Sequence, residues 1–197
     1  MPKNTDVRIG APDQKVTGAI KHAPVGTALP DLTDITKAAV TLNQAFTGDE
    51  YVSEDGLTLS PSRSTTEIKD WSGSTVRKVL ESFDGTLSWT MISTNEGALS
   101  IAFGADHVTT AAATAAHGAQ VKAALGAYLP EEQAWVFLMK DGDARIVIAV
   151  PDGQITEVGE VTFASNAAVG WNVTLSCYPD AAGNSIYIMT DDGVVTA

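Results

Sequence analysis

Few residues in this chain have the type and spacing that chemistry requires. The three histidines, His22, His107 and His117, stand far apart. None has a partner three to five residues away, the spacing by which a helix or turn presents two imidazoles to one metal ion. Cys177 is a lone cysteine, so no internal disulfide forms and a reducing compartment is expected. No nucleophile elbow, phosphate-binding loop or dinucleotide fingerprint is present. Carboxylates are plentiful, 24 in all, and a facing pair is what glycoside hydrolysis needs. Nothing local selects one pair, and most of these Asp residues sit in turn contexts, where their oxygens satisfy backbone N–H groups. The acidic run Asp49–Asp55 departs from a calcium loop, because Tyr51 and Ser53 stand where acidic ligands belong. The expectation is therefore no catalytic residue, no metal, no cofactor and no enzymatic activity.

Composition points the same way. The 197 residues suit one domain with an arm, and 44% apolar content is enough to bury a core without staples. The net charge of −12 disfavours a tight nucleic-acid binder, which draws its affinity from Lys and Arg. The charge is uneven. Residues 1–21 carry a net +2, while no Lys or Arg occurs from Ile146 to Ala197 and six carboxylates do. That contrast suggests a basic arm on an acidic body. No apolar N-terminal run suggests a signal peptide, and no stretch has the length of a membrane span.

The elements that would position any site are mostly strands. Asp-Gly occurs five times, at 55–56, 84–85, 141–142, 152–153 and 192–193, and between apolar runs it marks a hairpin. Val76–Phe83 and Thr86–Thr94 read as two strands around the second of these, with Leu87, Trp89 and Met91 alternating against Ser88 and Thr90. Ala134–Met139 and Ala144–Val150 are nearly continuous apolar runs, expected to be covered on both faces. Gln154–Phe163 follows a Pro-Asp-Gly turn. Trp171, Val173, Leu175 and Cys177 alternate with polar residues, and Ser185–Thr190 closes the chain. Ala119–Leu129 reads as a strand after a loop over Thr109–His117. About ten strands result. One helix is expected over Asn95–Phe103, with Asn95 as cap, Glu96 in the first turn and Gly104 as the stop. Thr41–Ser64 is polar without period and reads as a long loop. Trp71, Trp89, Trp135 and Trp171 read as core anchors. Arg77 and Lys78, adjacent on a strand, point to opposite faces, either guarding an edge by charge or facing a neighbouring subunit.

The run GDEYVSEDGLTLSPSRSTTEIKDWSGSTVRKVLESFDGTLSWTMISTNEGALSIAFG resembles the major tail tube proteins of long-tailed, non-contractile bacteriophages, notably those of actinobacteria. Its most specific part is Glu67-Ile68-Lys69-Asp70-Trp71-Ser72-Gly73. The resemblance continues through LPEEQAWVFLMKDGDARIVIAVPDGQITEVGEVTF and YPDAAGNSIYIMTDD, and so covers the chain from about Gly48 onward.

The resemblance implies a mainly β fold of tail-tube type, a β-sandwich or barrel with one short flanking helix, an extended N-terminal arm and a long loop. The expected organisation is an arm over 1–30 making inter-ring contacts and one tube domain over 31–197 containing the loop 41–64. The implied role is structural, in the virion tail, with assembly in the host cytoplasm. Six copies form a ring, rings stack into a tube, and a hairpin from each subunit joins its neighbours. The partners implied are further copies, tape-measure, terminator and tip proteins, and genomic DNA that passes without specific binding; no membrane is involved. The family has no active-site residues to carry over. Subunit-interface candidates are Arg8, Lys15, Lys21, Trp71, Arg77, Lys78, Glu81, Thr86, Ser88 and Thr90. Two alternatives stay open: a tube protein of a secretion machine or headless tail-like particle, and, in a different class, a carbohydrate-binding β-sandwich.

Overall fold

A computed structural model describes residues 7–13, 18–48 and 50–195. Its described part is mainly β with one α-helix. In chain order the elements are β1 (Ile20–Pro24), β2 (Val52–Lys69), β3 (Thr75–Met91), α1 (Glu96–Phe103), β4 (Val108–Ala111), β5 (Gln120–Ala123), β6 (Gln133–Asp141), β7 (Ala144–Val158), β8 (Trp171–Tyr178) and β9 (Tyr187–Asp191). Seven strands form one antiparallel sheet, ordered β1-β6-β7-β8-β3-β2, with β9 also on β7, and β4 and β5 pair separately. The large sheet stays open rather than closing into a barrel.

Period and burial agree where a strand has one wet face. In β8, Val173, Leu175 and Cys177 are buried and their neighbours are not, and Leu87, Trp89 and Met91 of β3 lie opposite them. With Trp135, Phe137, Val150 and Ile155 they form one core, roofed by Ala98, Ile101 and Ala102 of α1. Asn95 caps α1 by accepting from the Ala98 N–H at 2.9 Å, and Gly104 ends it at φ 85°. The apolar runs of β6 and β7 are indeed covered twice. Their other face, with Val136, Leu138, Val147 and Ala149, is sealed by Ile35, Phe46 and neighbouring side chains of residues 29–46.

Several expectations are corrected. The loop reading of 41–64 fails over 52–64, which belongs to the 18-residue strand β2. That strand buries neither face along most of its length, so it carries no alternating pattern to read. The Asp84-Gly85 turn does not exist. Strand β3 runs straight through it, and Gly85 sits where an added Cβ would lie 2.6 Å from Ile186 Cδ1. Asp152-Gly153 likewise lies inside β7, where Trp135 Nε1 donates to the Gly153 carbonyl at 3.2 Å and an added Cβ would press on Leu175 and Trp135. Glycine here provides close approach, its other use inside strands. The strand expected over 119–129 is confined to β5, and β7 ends at Val158, short of Phe163. Trp71 is no core anchor; it is fully exposed, whereas Trp89 and Trp135 are buried.

The N-terminal segment is not a detached arm in its described part. Lys140 donates from its backbone to the Ala11 carbonyl and Asp13 to the Leu138 carbonyl, so residues 11–13 run along β6. Strand β1 pairs with β6 from Ile20↔Phe137 to Pro24↔Gln133.

Candidate functional site

The feature that stands apart from the core is the outer half of the β2–β3 hairpin. Strands β2 and β3 pair continuously from Leu57↔Trp89 to Lys69↔Thr75, with shifts after Ser64 and Ile68. Strand β8 accompanies β3 only from Gly85 to Met91. Beyond Gly85 the ribbon leaves the sheet alone, and residues 60–84 are all exposed. At about 3.4 Å per residue this ribbon projects roughly 30 Å.

Local chemistry holds the ribbon together without a core. At its tip, Asp70 Oδ1 accepts from the Ser72 and Ser74 backbone N–H groups, each at 2.9 Å, and from Ser72 Oγ at 2.6 Å. These bonds favour the ionised carboxylate and hold its pKa below the ordinary range. Gly73, at φ 85°, completes the turn. Lys78 pairs with Glu67 at 3.0 Å, and Thr75 Oγ1 donates to the same carboxylate at 3.0 Å. Glu81 accepts from Ser64 Oγ at 3.1 Å and from Thr66 Oγ1. Each of these bonds lowers the acceptor's pKa. Arg63 lies over the Phe83 ring at 5.4 Å.

The ribbon is also apolar for an exposed element. Ile68, Trp71, Val76, Val79, Leu80 and Phe83 are all exposed, Trp71 completely. Exposed apolar side chains gathered on one projecting element mark an interaction site.

A second surface lies at the ribbon's base, on the sheet face away from α1. Thr86, Ser88 and Thr90 stand opposite Ser176, Thr174 and Asn172 on β8, and Thr86 and Ser88 opposite Ser60 and Thr58 on β2. Directly opposed antiparallel residues share a face, so these make rows of hydroxyls and one amide. They bond among themselves: Asn172 Nδ2 donates to Thr90 Oγ1 at 3.0 Å, and Thr156 Oγ1 and Ser176 Oγ lie 2.8 Å apart. The rows contain no Lys or Arg.

Of the interface candidates, Trp71, Arg77, Lys78 and Glu81 therefore meet on the exposed ribbon, and Thr86, Ser88 and Thr90 meet on the hydroxyl face. Arg8 is half-buried beside the β6 edge. Lys21 is turned inward, 8% exposed, with its ammonium donating to the Gly48 carbonyl. Lys15 lies outside the described residues. The sequence reading missed the ribbon's extent, although Glu67, Lys78 and Glu81 on facing strands were a visible signal of charge pairing.

No group of three or more His, Cys, Asp or Glu among the described residues is placed to hold a metal ion. His22 lies tilted against Trp135, and His107 stacks on Tyr128. Burial pushes the Cys177 thiol up to about 12. No helix of the described residues is long and apolar enough to cross a membrane.

Residues 3–197 match the family model described as "Phage tail tube protein". No curated protein sequence matches the chain. Among solved structures, the chain is similar to the anti-feeding prophage cap, the AFP tube terminating cap. The two share 13% identity over 94% of each chain, with a TM-score of 0.46.

Proposed function

The chain belongs to the phage tail tube protein family, and from that premise we propose that it builds the tube by pairing its hairpin with neighbouring copies. Six copies close a ring, rings stack, and the resulting bore delivers the genome to the host. The role is structural rather than catalytic. The observation that carries this reading is the ribbon of residues 60–84, exposed throughout and rich in apolar side chains. A two-stranded ribbon is marginal alone in water, and both of its outer edges present unpaired backbone groups that another strand can complete. A head-to-tail contact of this kind gives rings or helical stacks, according to whether its rotation closes.

The hydroxyl face is the natural wall of the bore. Cationic side chains would hold phosphates and slow the passage of DNA; the rows of Ser, Thr and Asn carry none, and Glu157, opposite Thr174, adds only a negative charge. The resistance to sticking then comes from missing cations more than from an acidic lining. The described edge residues 7–12, Arg8 among them, contribute to contacts between rings. Tape-measure, terminator and tip proteins are the other tail components that the bore and the two tube ends would meet.

The test replaces residues 62–84 by a two-residue hairpin turn. The shortened chain should keep its near-ultraviolet spectrum, because Trp89 and Trp135 stay buried, yet sediment as a monomer where the full chain forms rings or tubes in electron micrographs. Tubes from the shortened chain, or a full chain that stays monomeric at every concentration, would overturn the reading.

A further inference from the structure

A groove of about 750 Å³ opens between the segment following β1, strand β9 and the loop 179–181. Its walls include Leu29, Pro30, Ile188 and Met189, and its lining holds three carboxylates, Asp31, Asp152 and Asp180, but no Lys or Arg. Asp180 is satisfied, accepting from the Ala182 and Asn184 backbone and from the Tyr187 hydroxyl. Asp152 is different. Its Oδ1 is buried and has no hydrogen-bond partner among the described residues, which is costly for a carboxylate unless a donor arrives from elsewhere. The groove thus offers apolar walls and negative charge.

The complementary shape is on the same chain. Trp71 projects from the hairpin tip, wholly exposed, and Lys69 and Arg77 flank the turn. The tip cannot reach its own groove. Gly85, at the base of the ribbon, abuts Ile186, which directly precedes the groove wall at Tyr187, and the ladder runs outward from there, with two register shifts, to Lys69↔Thr75. Base and tip are therefore held roughly 30 Å apart by the strand rise. Only another copy can bring a tip to this groove.

We propose that Trp71 of one copy seats in the groove of a neighbouring copy, with the Lys69 ammonium beside it facing the groove's acidic lining of Asp31, Asp152 and Asp180. The inference rests on the tube-building reading and names the contact it uses. Trp is the side chain that most often anchors an interface, because it buries a large area at low entropic cost. Desolvating it beside apolar walls supplies the affinity, while the lysine and the acidic rim set the orientation. Tip and groove are different surfaces, so the contact is heterologous and propagates from copy to copy.

The test mixes two variants with one added cysteine each, Ser72→Cys and Ala181→Cys, both at exposed positions, and oxidises the assembled mixture. Cys177 stays silent in the background because it is buried with a raised pKa. Covalent dimers should appear in the mixture and in neither variant alone. A second arm measures assembly of Trp71→Ala, whose half-assembly concentration should rise by about tenfold or more, the scale of a lost aromatic anchor; Asp152→Asn should raise it less. Tubes that form without the mixed disulfide, or with Trp71→Ala assembling like the parent, overturn this contact and leave the tube reading standing. A parent chain that never assembles overturns both.

Discussion

Arg145 and Asp13 form an ion pair inside the fold, with side chains 1% and 3% exposed. Arg145 sits on β7, and its guanidinium also donates from Nε to the Thr36 carbonyl at 2.8 Å and from Nη2 to the Ala38 carbonyl at 2.9 Å. One side chain thus ties the N-terminal edge segment and the covering loop to the central sheet. Breaking a buried pair by removing one partner leaves a charge without compensation, at about 3–5 kcal/mol. Arg145→Met should therefore lower the urea midpoint severely, since it strands both Asp13 and the carbonyls. Asp13→Asn should cost less, because the amide oxygen still accepts. Equal losses in the two variants would refute the clamp.

Glycines 85 and 142 should respond to alanine for different reasons. At Gly85 the added methyl meets Ile186 Cδ1 at 2.6 Å, so the loss is one of overpacking, about 1–3 kcal/mol. Gly142 has open space around it but φ 61°, so its loss is backbone strain, about 1–2 kcal/mol. Thermal melts of double variants separate them: Gly85→Ala should be relieved by Ile186→Val, and Gly142→Ala should not. An absence of relief at Gly85 would mean the contact is not the cause.

Acid should loosen the hairpin before the core. Asp70, Glu67 and Glu81 all have pKa values lowered by hydrogen bonds made in the folded ribbon. A carboxylate whose folded pKa is depressed contributes stability above its unfolded value, and that contribution is lost as pH falls through the folded one. From about pH 4 downward, amide exchange in residues 62–84, corrected for the intrinsic pH effect, should rise ahead of exchange in β6 and β8. Asp70→Asn should shrink that acid-linked change. Uniform exchange across the sheet over this range would contradict the assignment.

His22 predicts a second, milder pH effect. Burial against Trp135 lowers its pKa, with the neighbouring Lys21 charge adding to the shift and a Gln133 hydrogen bond opposing it. The unfolded chain then binds the proton more readily. Stability is full above the unfolded value near pH 6.5 and falls as pH drops below it. The urea midpoint should decline between pH 7.5 and 5.5, and His22→Phe, which keeps a ring against Trp135, should flatten the decline. A profile unchanged by this substitution would assign the decline to other groups.

Several features were readable from residues alone because they depend on nearest neighbours. Helix α1 carries its own cap in Asn95 and its own stop in Gly104. The alternation in β8 records one wet and one dry face, and the apolar run of β7 records two dry ones. The run Glu67–Gly73 pointed to the family.

What escaped was whatever depended on distant parts of the chain. Strand β2 buries neither face over most of its length, so no period betrayed it. Asp84-Gly85 looks like a turn to its neighbours, but Ile186, a hundred residues away, needs the space that glycine leaves. Arg145 belongs to an apolar strand and is neutralised by Asp13 from the far end of the sequence. Trp71 has the side chain of a core residue and stands in solvent. Burial is a property of all atoms surrounding a side chain. Residue order therefore dictates which local conformations are favoured, while the folded sheet alone settles which of those residues meet each other and which are left for another copy.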